Sequence, residues 1–260
     1  MVDFSVILAT RNERKYIGKT LRKILEASDE VERHGISTEI IVVDSSTDDT
    51  FREARKHVKN VHTFLPSGVS KARNFGASLA KGSILIFMDA DTTLQKSSLI
   101  DLAKEFKHTA VVSVISRVLP LSRQKNLSAI LFYALDGLYI RLCAYLSFLL
   151  KFYNRGDMIA IRKDIFYKIK GFNEKLHMLE VTDMLLKASS YGRTNVLSTP
   201  VFESSRRLGQ WGLLKSYKIW CRNYFCFYVF GHLYDSRYEA CRGEAQAPIQ
   251  ADWRRSRASF

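Results

Sequence analysis

A short apolar run, Ser83 to Leu94 (SILIFMDADTTL), passes from five apolar residues straight into Asp89-Ala90-Asp91. A nearly all-apolar run of this length is the pattern of a strand buried on both faces. Its two acids then fall where the strand gives way to a loop. In an open α/β sheet, ligands bind outside the carboxyl ends of the strands. Carboxylates there are costly to bury without a cation, and a divalent metal, which prefers oxygen ligands, is a natural partner. A solvated loop, or a cap for the next helix, would also accommodate Asp-x-Asp.

The flanking segments repeat the motif. Ser5–Ala9 and Glu39–Val43 read as strands, the second ending in Asp44. Ile17, Leu21, Ile24 and Leu25 recur at helical spacing over residues 15–27. Ser45 to Asp49 is a run of cap residues opening a helix to about Val58. Val61–Leu65 reads as a weaker strand, Ser70–Ala80 as a helix closed by Gly82. This alternation predicts an α/β chain with a doubly wound, mostly parallel, Rossmann-like sheet and right-handed crossovers. Farther on, Ser97–Phe106 reads as helix, Ala110–Ile115 and Gly156–Ile161 as strands, Asp164–Ile169 and Glu180–Tyr191 as helices, Asn195–Phe202 as strand.

Residues 127–153 and 209–234 are apolar and aromatic but carry charges: Asp136 and Arg141, then Lys215, Lys218 and Arg222. A membrane span needs about 20 apolar residues with few or no charges. These segments are expected as amphipathic, aromatic C-terminal helices lying in a membrane interface, or as helices packing on the sheet. The expected division is a domain over 1–234, in two halves (1–118 and 119–234, the second holding both aromatic segments), and a tail over 235–260.

Composition narrows the partners. Lys and Arg total 40 against 26 acids, a net charge of +14, which favours phosphorylated substrates or an anionic membrane. No nucleic-acid motif is present, so no nucleic-acid partner is expected. The four cysteines lack C-x-x-C spacing and read as free thiols, and no secretory signal is visible. His62, His108, His177 and His232 are scattered, against a zinc site. Neither G-x-G-x-x-G nor G-x-x-x-x-G-K-[ST] occurs, which disfavours dinucleotide redox and P-loop chemistry.

Four polar clusters fall at strand ends: Thr10 to Glu13, Asp44-Ser45, Arg73-Asn74 and Asp89/Asp91. In a doubly wound sheet they line one crevice. Asp44 suits a base edge or ribose hydroxyls, Arg73 a phosphate, and Asp89 with Asp91 a metal bridging two phosphates. Each also has a simpler reading as a cap or solvated charge.

Taken in order, residues 4–24 (FSVILATRNERKYIGKTLRKI), 39–50 (EIIVVDSSTDDT), 68–82 (GVSKARNFGASLAKG) and 84–93 (ILIFMDADTT) resemble the N-terminal signatures of family 2 glycosyltransferases of the GT-A fold. Residues 156–172 (GDMIAIRKDIFYKIKGF) and 204–212 (SSRRLGQWG) resemble later segments of the same family, so the likeness spans about 4–230. The resemblance implies a nucleotide-diphosphate sugar donor, Mg or Mn on Asp-x-Asp, and inversion at the anomeric carbon. It places Asp44, Thr10, Asn12, Glu13 and Arg73 around the nucleotide, Asp89 at ribose or metal, Asp91 on the metal, and Arg206 and Arg207 at a diphosphate or lipid phosphate.

The chain departs from the family at Glu180-Val181-Thr182-Asp183, where the usual general-base aspartate is Val181. Three readings follow. Glu180 or Asp183 substitutes as the catalytic general base, the chain is a non-catalytic nucleotide-sugar-binding homologue, or the acceptor needs no base. The last fits a polyprenyl phosphate or lipid-linked acceptor, and with it a peripheral place on the cytoplasmic face of a membrane. A nucleotidyltransferase is disfavoured by the missing Gly-rich, Lys-containing loop.

Overall fold

In a computed structural model, residues 2–65, 68–121, 127–146, 149, 155–176, 178–204, 206 and 213–230 are described. The N-terminal half alternates β1 (Phe4–Thr10), α1 (Arg14–Glu32), β2 (Thr38–Asp44), α2 (Thr50–Arg55), β3 (Val61–Thr63), α3 (Val69–Leu79) and β4 (Ile84–Asp89). A two-residue strand β5 (Thr92–Thr93), α4 (Ser98–Phe106), β6 (Val111–Pro120) and α5 (Leu127–Tyr145) follow. Then come β7 (Met158–Arg162), α6 (Lys163–Lys168), α7 (Glu180–Ala188), β8 (Arg193–Glu203) and α8 (Leu213–Phe230).

The described strands form one sheet in the order β3-β2-β1-β4-β7-β6-β8-β5. The β1, β2, β3 and β4 contacts are parallel, as is β6 on β8. β7 runs antiparallel to both β4 and β6, and β5 antiparallel to β8. The mostly parallel, doubly wound α/β expectation therefore holds, and every antiparallel contact involves a strand that follows β4.

Period-2 alternation sorts the strand side chains onto two cores. Val6, Leu8, Val42, Ile86 and Met88 face one side, where Ile17, Leu21 and Ile24 of α1 and Leu99 of α4 cover them. Ile7, Ile41, Val43, Leu85 and Phe87 face the other, against Ala72 of α3, Phe166 of α6 and Met184 of α7. The apolar stripe of α1 continues through Ala27 and Val31, which extends that helix beyond Ala27 to Glu32.

Several boundaries differ from those expected. β3 stops at Thr63, because only Val42 to Asp44 of β2 are opposite it, and Leu65 is 90% exposed. β6 continues past Ile115 to Pro120, its polar Ser116 and Arg117 absorbed by a register shift against β8. The aromatic helices span Leu127–Tyr145 and Leu213–Phe230. Apart from residues 146 and 149, the remainder of each segment, and the tail, lie outside the described residues. The three described cysteines are free thiols.

One glycine tests the packing of α3 on the sheet. A Cβ at Gly76 would lie 2.4 Å from Ile7 Cγ2 and 3.2 Å from Val43 Cγ2. Helix propensity alone favours alanine by about 1 kcal/mol. The clash lies against two β-branched core residues, so overpacking should win. Gly76→Ala is expected to lower stability by about 1–3 kcal/mol in urea unfolding; a gain would show that α3 moves freely over the sheet.

Candidate functional site

The register aligns the strand ends. Thr10 lies opposite Asp44, and Ala9 opposite Asp89, so β2, β1 and β4 finish side by side. The strand order reverses between β1 and β4, which makes that gap the crevice of an open sheet.

At its β2 side, Asp44 is 2% exposed. Its Oδ1 accepts hydrogen bonds from Thr10 Oγ1 (2.6 Å) and Ser46 Oγ (2.6 Å). Ser46 Oγ in turn accepts from the Asn12 amide at 2.8 Å, and Asn12 Oδ1 accepts from the Thr47 amide at 2.9 Å. Asn12 adopts a positive φ of 58°, which turns the chain from β1 toward α1. The loops after β1 and β2 are thereby tied to each other.

At the β4 side two arginines hold the Asp-x-Asp acids. Arg73 of α3 is 2% exposed. It donates to Asp89 Oδ1 (2.8 Å), to Glu180 Oε1 of α7 (3.1 Å) and to the Gly156 carbonyl (3.3 Å). Its guanidinium lies 5.3 Å from the centroid of the Phe172 ring. A Cβ at Gly156 would stand 2.6 Å from Arg73 Nη2, so the close approach requires glycine. Asn74, the next residue, donates to the Phe172 carbonyl (2.9 Å) and accepts from its amide (3.0 Å), fixing the turn whose Gly171 has φ 65°.

Arg206 spans the crevice. Nη1 donates to Glu13 Oε2 at 2.8 Å, and Nη2 reaches Glu13 Oε1 and Asp91 Oδ2, the latter at 3.2 Å. The guanidinium stacks over Tyr16 at 4.9 Å. Burial opposes its charge, but the bonds to Glu13 and the proximity of Asp91 hold it firmly protonated.

Asp91 is short of positive charge. Burial pushes its carboxyl up to about 7; Arg206 acts to lower it, while Asp89, Glu13 and Asp157 raise it further. Several acids thus crowd one guanidinium at the place where an oxygen-loving cation would bind. Among the described residues, no three His, Cys, Asp or Glu side chains already converge as a metal site. Asp89 and Asp91 nevertheless suit Mg or Mn, which commonly take one or two carboxylates and fill the remaining positions with water and substrate phosphates.

α7 carries Glu180, Val181 and Asp183 in three different settings. Val181 is fully buried in the core under α7. Glu180 is turned to Arg73, whereas Asp183 pairs with Lys187 at 2.7 Å one turn on. Arg207 and His177 lie outside the described residues.

A third arginine was not singled out in the sequence. Arg155 meets Asp157 (3.1 Å), Asp136 of α5 (3.5 Å) and Glu203 at the end of β8, and Tyr133 donates to Glu203 at 2.9 Å. The Asp157 carbonyl accepts from the Asp89 amide at 3.2 Å, so this cluster backs directly onto Asp-x-Asp. The signal was present: like Asp44 and Asp89, Glu203 is an acid closing a strand.

With this geometry in hand, the family model for Glycosyl transferase family 2 matches residues 5–170. The chain belongs to glycosyl transferase family 2. Poly(ribitol-phosphate) beta-N-acetylglucosaminyltransferase TarS of Staphylococcus aureus is 31% identical over 110 residues, covering 40% of this chain and 18% of TarS. The chain therefore spans about a fifth of that relative. Among solved structures, a 1–349 fragment of S. aureus TarS superposes with TM-score 0.58 at 22% identity, covering 84% of this chain and 65% of the fragment. The mannosyltransferase PcManGT of Pyrobaculum calidifontis, in complex with GDP-Man and Mn2+, gives TM-score 0.63 at 18% identity over 85% of this chain and 61% of PcManGT. These likenesses establish a GT-A fold of the family 2 type.

The Arg155 cluster gives this site a measurable pH signature. Burial pushes Glu203 up to about 8; Arg155 acts to lower it, and Asp157 to raise it. In the unfolded chain a glutamate titrates near ~4.3. The folded state therefore keeps a proton that the unfolded state has lost. The stability this contributes is complete below the unfolded value and is lost as pH rises toward the folded one. Glu203→Gln, which stays neutral, should flatten the fall in denaturation midpoint between about pH 4 and pH 8. An unchanged slope would assign that fall to other groups.

Proposed function

We propose that this chain transfers a sugar from a nucleotide-diphosphate sugar to a lipid-linked acceptor, with a polyprenyl phosphate as the acceptor that fits best. The observation that carries the donor half is the acid-rich Asp89/Asp91 pair at the switch-point crevice, beside the buried Asp44–Thr10–Ser46 network. Relatives with the same fold support it. TarS has been crystallised with UDP-GlcNAc, and glucosyl-3-phosphoglycerate synthase of Mycobacterium tuberculosis with Mn2+, UDP and phosphoglyceric acid.

In this reading Asp91 and Asp89 hold Mg or Mn, and Glu13, Asn12, Thr10 and Asp44 shape the nucleotide pocket. A bound divalent cation supplies charge neutralisation at the donor diphosphate. Arg206, with Arg207 beside it in sequence, is placed to pass from Glu13 to the diphosphate. Arg73 positions Asp89 and Glu180 beside the same crevice, where its charge also favours the donor diphosphate.

The acceptor half rests on α7. Val181 is sealed in the core, and both Glu180 and Asp183 already hold a cation. A sugar hydroxyl must lose a proton near the transition state, whereas a phosphate oxygen arrives ionised. The phosphate oxygen attacks the anomeric carbon, the bond from that carbon to the diphosphate oxygen breaks, and its electron pair leaves with the nucleoside diphosphate. In-line attack inverts the anomeric configuration. The enzyme would work at the cytoplasmic face of a membrane, where such acceptors lie.

Two measurements test this. Transfer from a panel of nucleotide sugars should require Mg or Mn, and Asp91→Ala should abolish it. If wild type and Asp91→Ala are equally silent while donor still binds, the chain is a nucleotide-sugar-binding homologue instead. Glu180→Gln should cost less than about tenfold in kcat toward a phosphate acceptor. A loss of about 10²–10⁴-fold, the usual weight of a general base, would make Glu180 the base and remove the reason for an ionised acceptor.

A further inference from the structure

Arg155, Gly156 and Asp157 lie beside the end of β4, just ahead of β7, and each makes a different contact there. The Gly156 carbonyl accepts from Arg73, which also holds the Asp89 carboxylate. The Asp157 carbonyl accepts from the Asp89 amide at 3.2 Å. The Arg155 side chain, largely buried, meets the carboxylates of Asp157 at 3.1 Å, Asp136 at 3.5 Å and Glu203. α5 covers it: the guanidinium lies 5.5 Å from the ring centroid of Phe132 and 6.0 Å from that of Tyr133.

Two of those carboxylates belong to residues whose backbones flank the Asp-x-Asp acids. Asp157 is bonded to Asp89 on one side. Glu203 is the ladder partner of Thr92 on the other, and Thr93 pairs with Phe202. Between them Thr20 Oγ1 of α1 donates to the Ala90 carbonyl at 2.7 Å. The loop from Asp89 to Thr92 is therefore held on both flanks by segments that Arg155 ties to each other. Clamping α5 to the sheet would need only the contact with Asp136. A buried guanidinium that also joins Asp157 to Glu203 fixes the spacing of the two flanks, at a desolvation cost that stability alone does not explain.

We propose that Arg155 is a positioning residue for the metal ligands: by tying Asp157 to Glu203, it sets the spacing and direction from which Asp89 and Asp91 meet a divalent cation. The inference rests on the reading of Asp89 and Asp91 as a Mg or Mn site. Mg in particular demands near-ideal octahedral geometry, so a displaced carboxylate is felt directly in affinity. Groups outside the coordination shell that orient the ligands commonly change metal affinity by about 10–100-fold. Arg155 touches neither cation nor donor; it acts through the Asp89 amide and the Thr92 pairing. Lysine at this position keeps the charge but lacks the planar fork that spans several carboxylates.

The test is Mn2+ binding to the metal-free full chain, followed by electron paramagnetic resonance of the free ion, together with hydrogen exchange. Arg155→Lys should weaken Mn2+ binding by about 10–100-fold. It should also speed exchange across residues 84–94 of the metal-free protein and leave β2 unchanged. Asp136→Asn loosens the α5 arm but leaves Arg155 on Asp157 and Glu203. It should lower the denaturation midpoint yet bind Mn2+ as wild type does. Mn2+ affinity that falls in step with the midpoint in both variants would assign Arg155 to stability alone and overturn the proposal. So would unchanged Mn2+ binding in a folded Arg155→Lys. Should that variant not fold, Asp157→Asn, which keeps the carbonyl that Asp89 uses, is read by exchange. Faster exchange confined to residues 84–94 supports the proposal, and an unchanged or uniformly raised rate overturns it. Wild type and Asp91→Ala that both ignore Mn2+ would remove the metal reading, and the proposal with it. Wild type that binds where Asp91→Ala does not keeps that reading standing whatever Arg155→Lys does, so the two failures are separable.

Discussion

The buried guanidinium of Arg73 is the contact on which the two halves of this molecule depend. It stands at 2% exposure between Asp89, which ends β4, and Glu180, which opens α7, and it takes the Gly156 carbonyl ahead of β7. Removing one partner of such a buried pair typically costs about 3–5 kcal/mol, because the other charge is left uncompensated. Here it would take from two carboxylates, Asp89 at the end of β4 and Glu180 at the start of α7, the cation they share. The fold supports the arrangement locally: Gly156 makes room, Phe172 presents its ring, and Asn74 clamps the Phe172 backbone.

The same logic recurs twice along the crevice. Arg206 joins Glu13 to Asp91, and Arg155 joins Asp136, Asp157 and Glu203. In each case one cation serves more acids than it can neutralise. The uncompensated remainder is visible as raised carboxyl affinity for protons at Asp91, Asp136 and Glu203, burial being the first cause in each. A protein that only needed stability would gain by replacing such groups with apolar ones. The position of Asp91 and Glu203 at strand ends, beside a topological switch point, is what a donor and cation site would require.

Much of this was legible in the sequence. Period-2 and period-3.6 patterns specify β1, α1, β2, α3 and β4 because each element buries a defined face, and the Asp-x-Asp acids follow directly from the end of β4. The family resemblance supplied the expectations for the rest of the donor side; the family match bears out the family itself. Contacts between distant residues were not legible. Glu13 and Arg206 are 193 positions apart, and Arg73 and Glu180 are 107 apart. Nothing local in either segment says that a helix-borne arginine will turn inward to carboxylates. β7 was read as another strand, but its antiparallel direction is set by pairing with both β4 and β6, which no single segment encodes. Val181 shows the reverse case: its departure from the family was plain in the sequence, and only the packing of α7 shows that it faces the core.

Charge distribution links donor and cation in the proposed function. The chain carries a net +14, yet Glu13, Asp89, Asp91 and Asp157 concentrate negative charge where a nucleoside diphosphate would have to lie. The overall field attracts an anionic donor to the molecule; the crevice itself repels its phosphates. The two guanidiniums nearest to Asp-x-Asp are already engaged by those acids, so neither removes the repulsion without giving up a partner. A divalent ion held by Asp89 and Asp91 would remove it, supplying charge neutralisation at the donor diphosphate. Each ligand thus raises the affinity for the other by the same factor, as linkage demands. In the proposed function the pairing of Arg206 with Glu13 and Asp91 would belong to the donor-free state, and nucleotide sugar and metal would bind together more tightly than either alone.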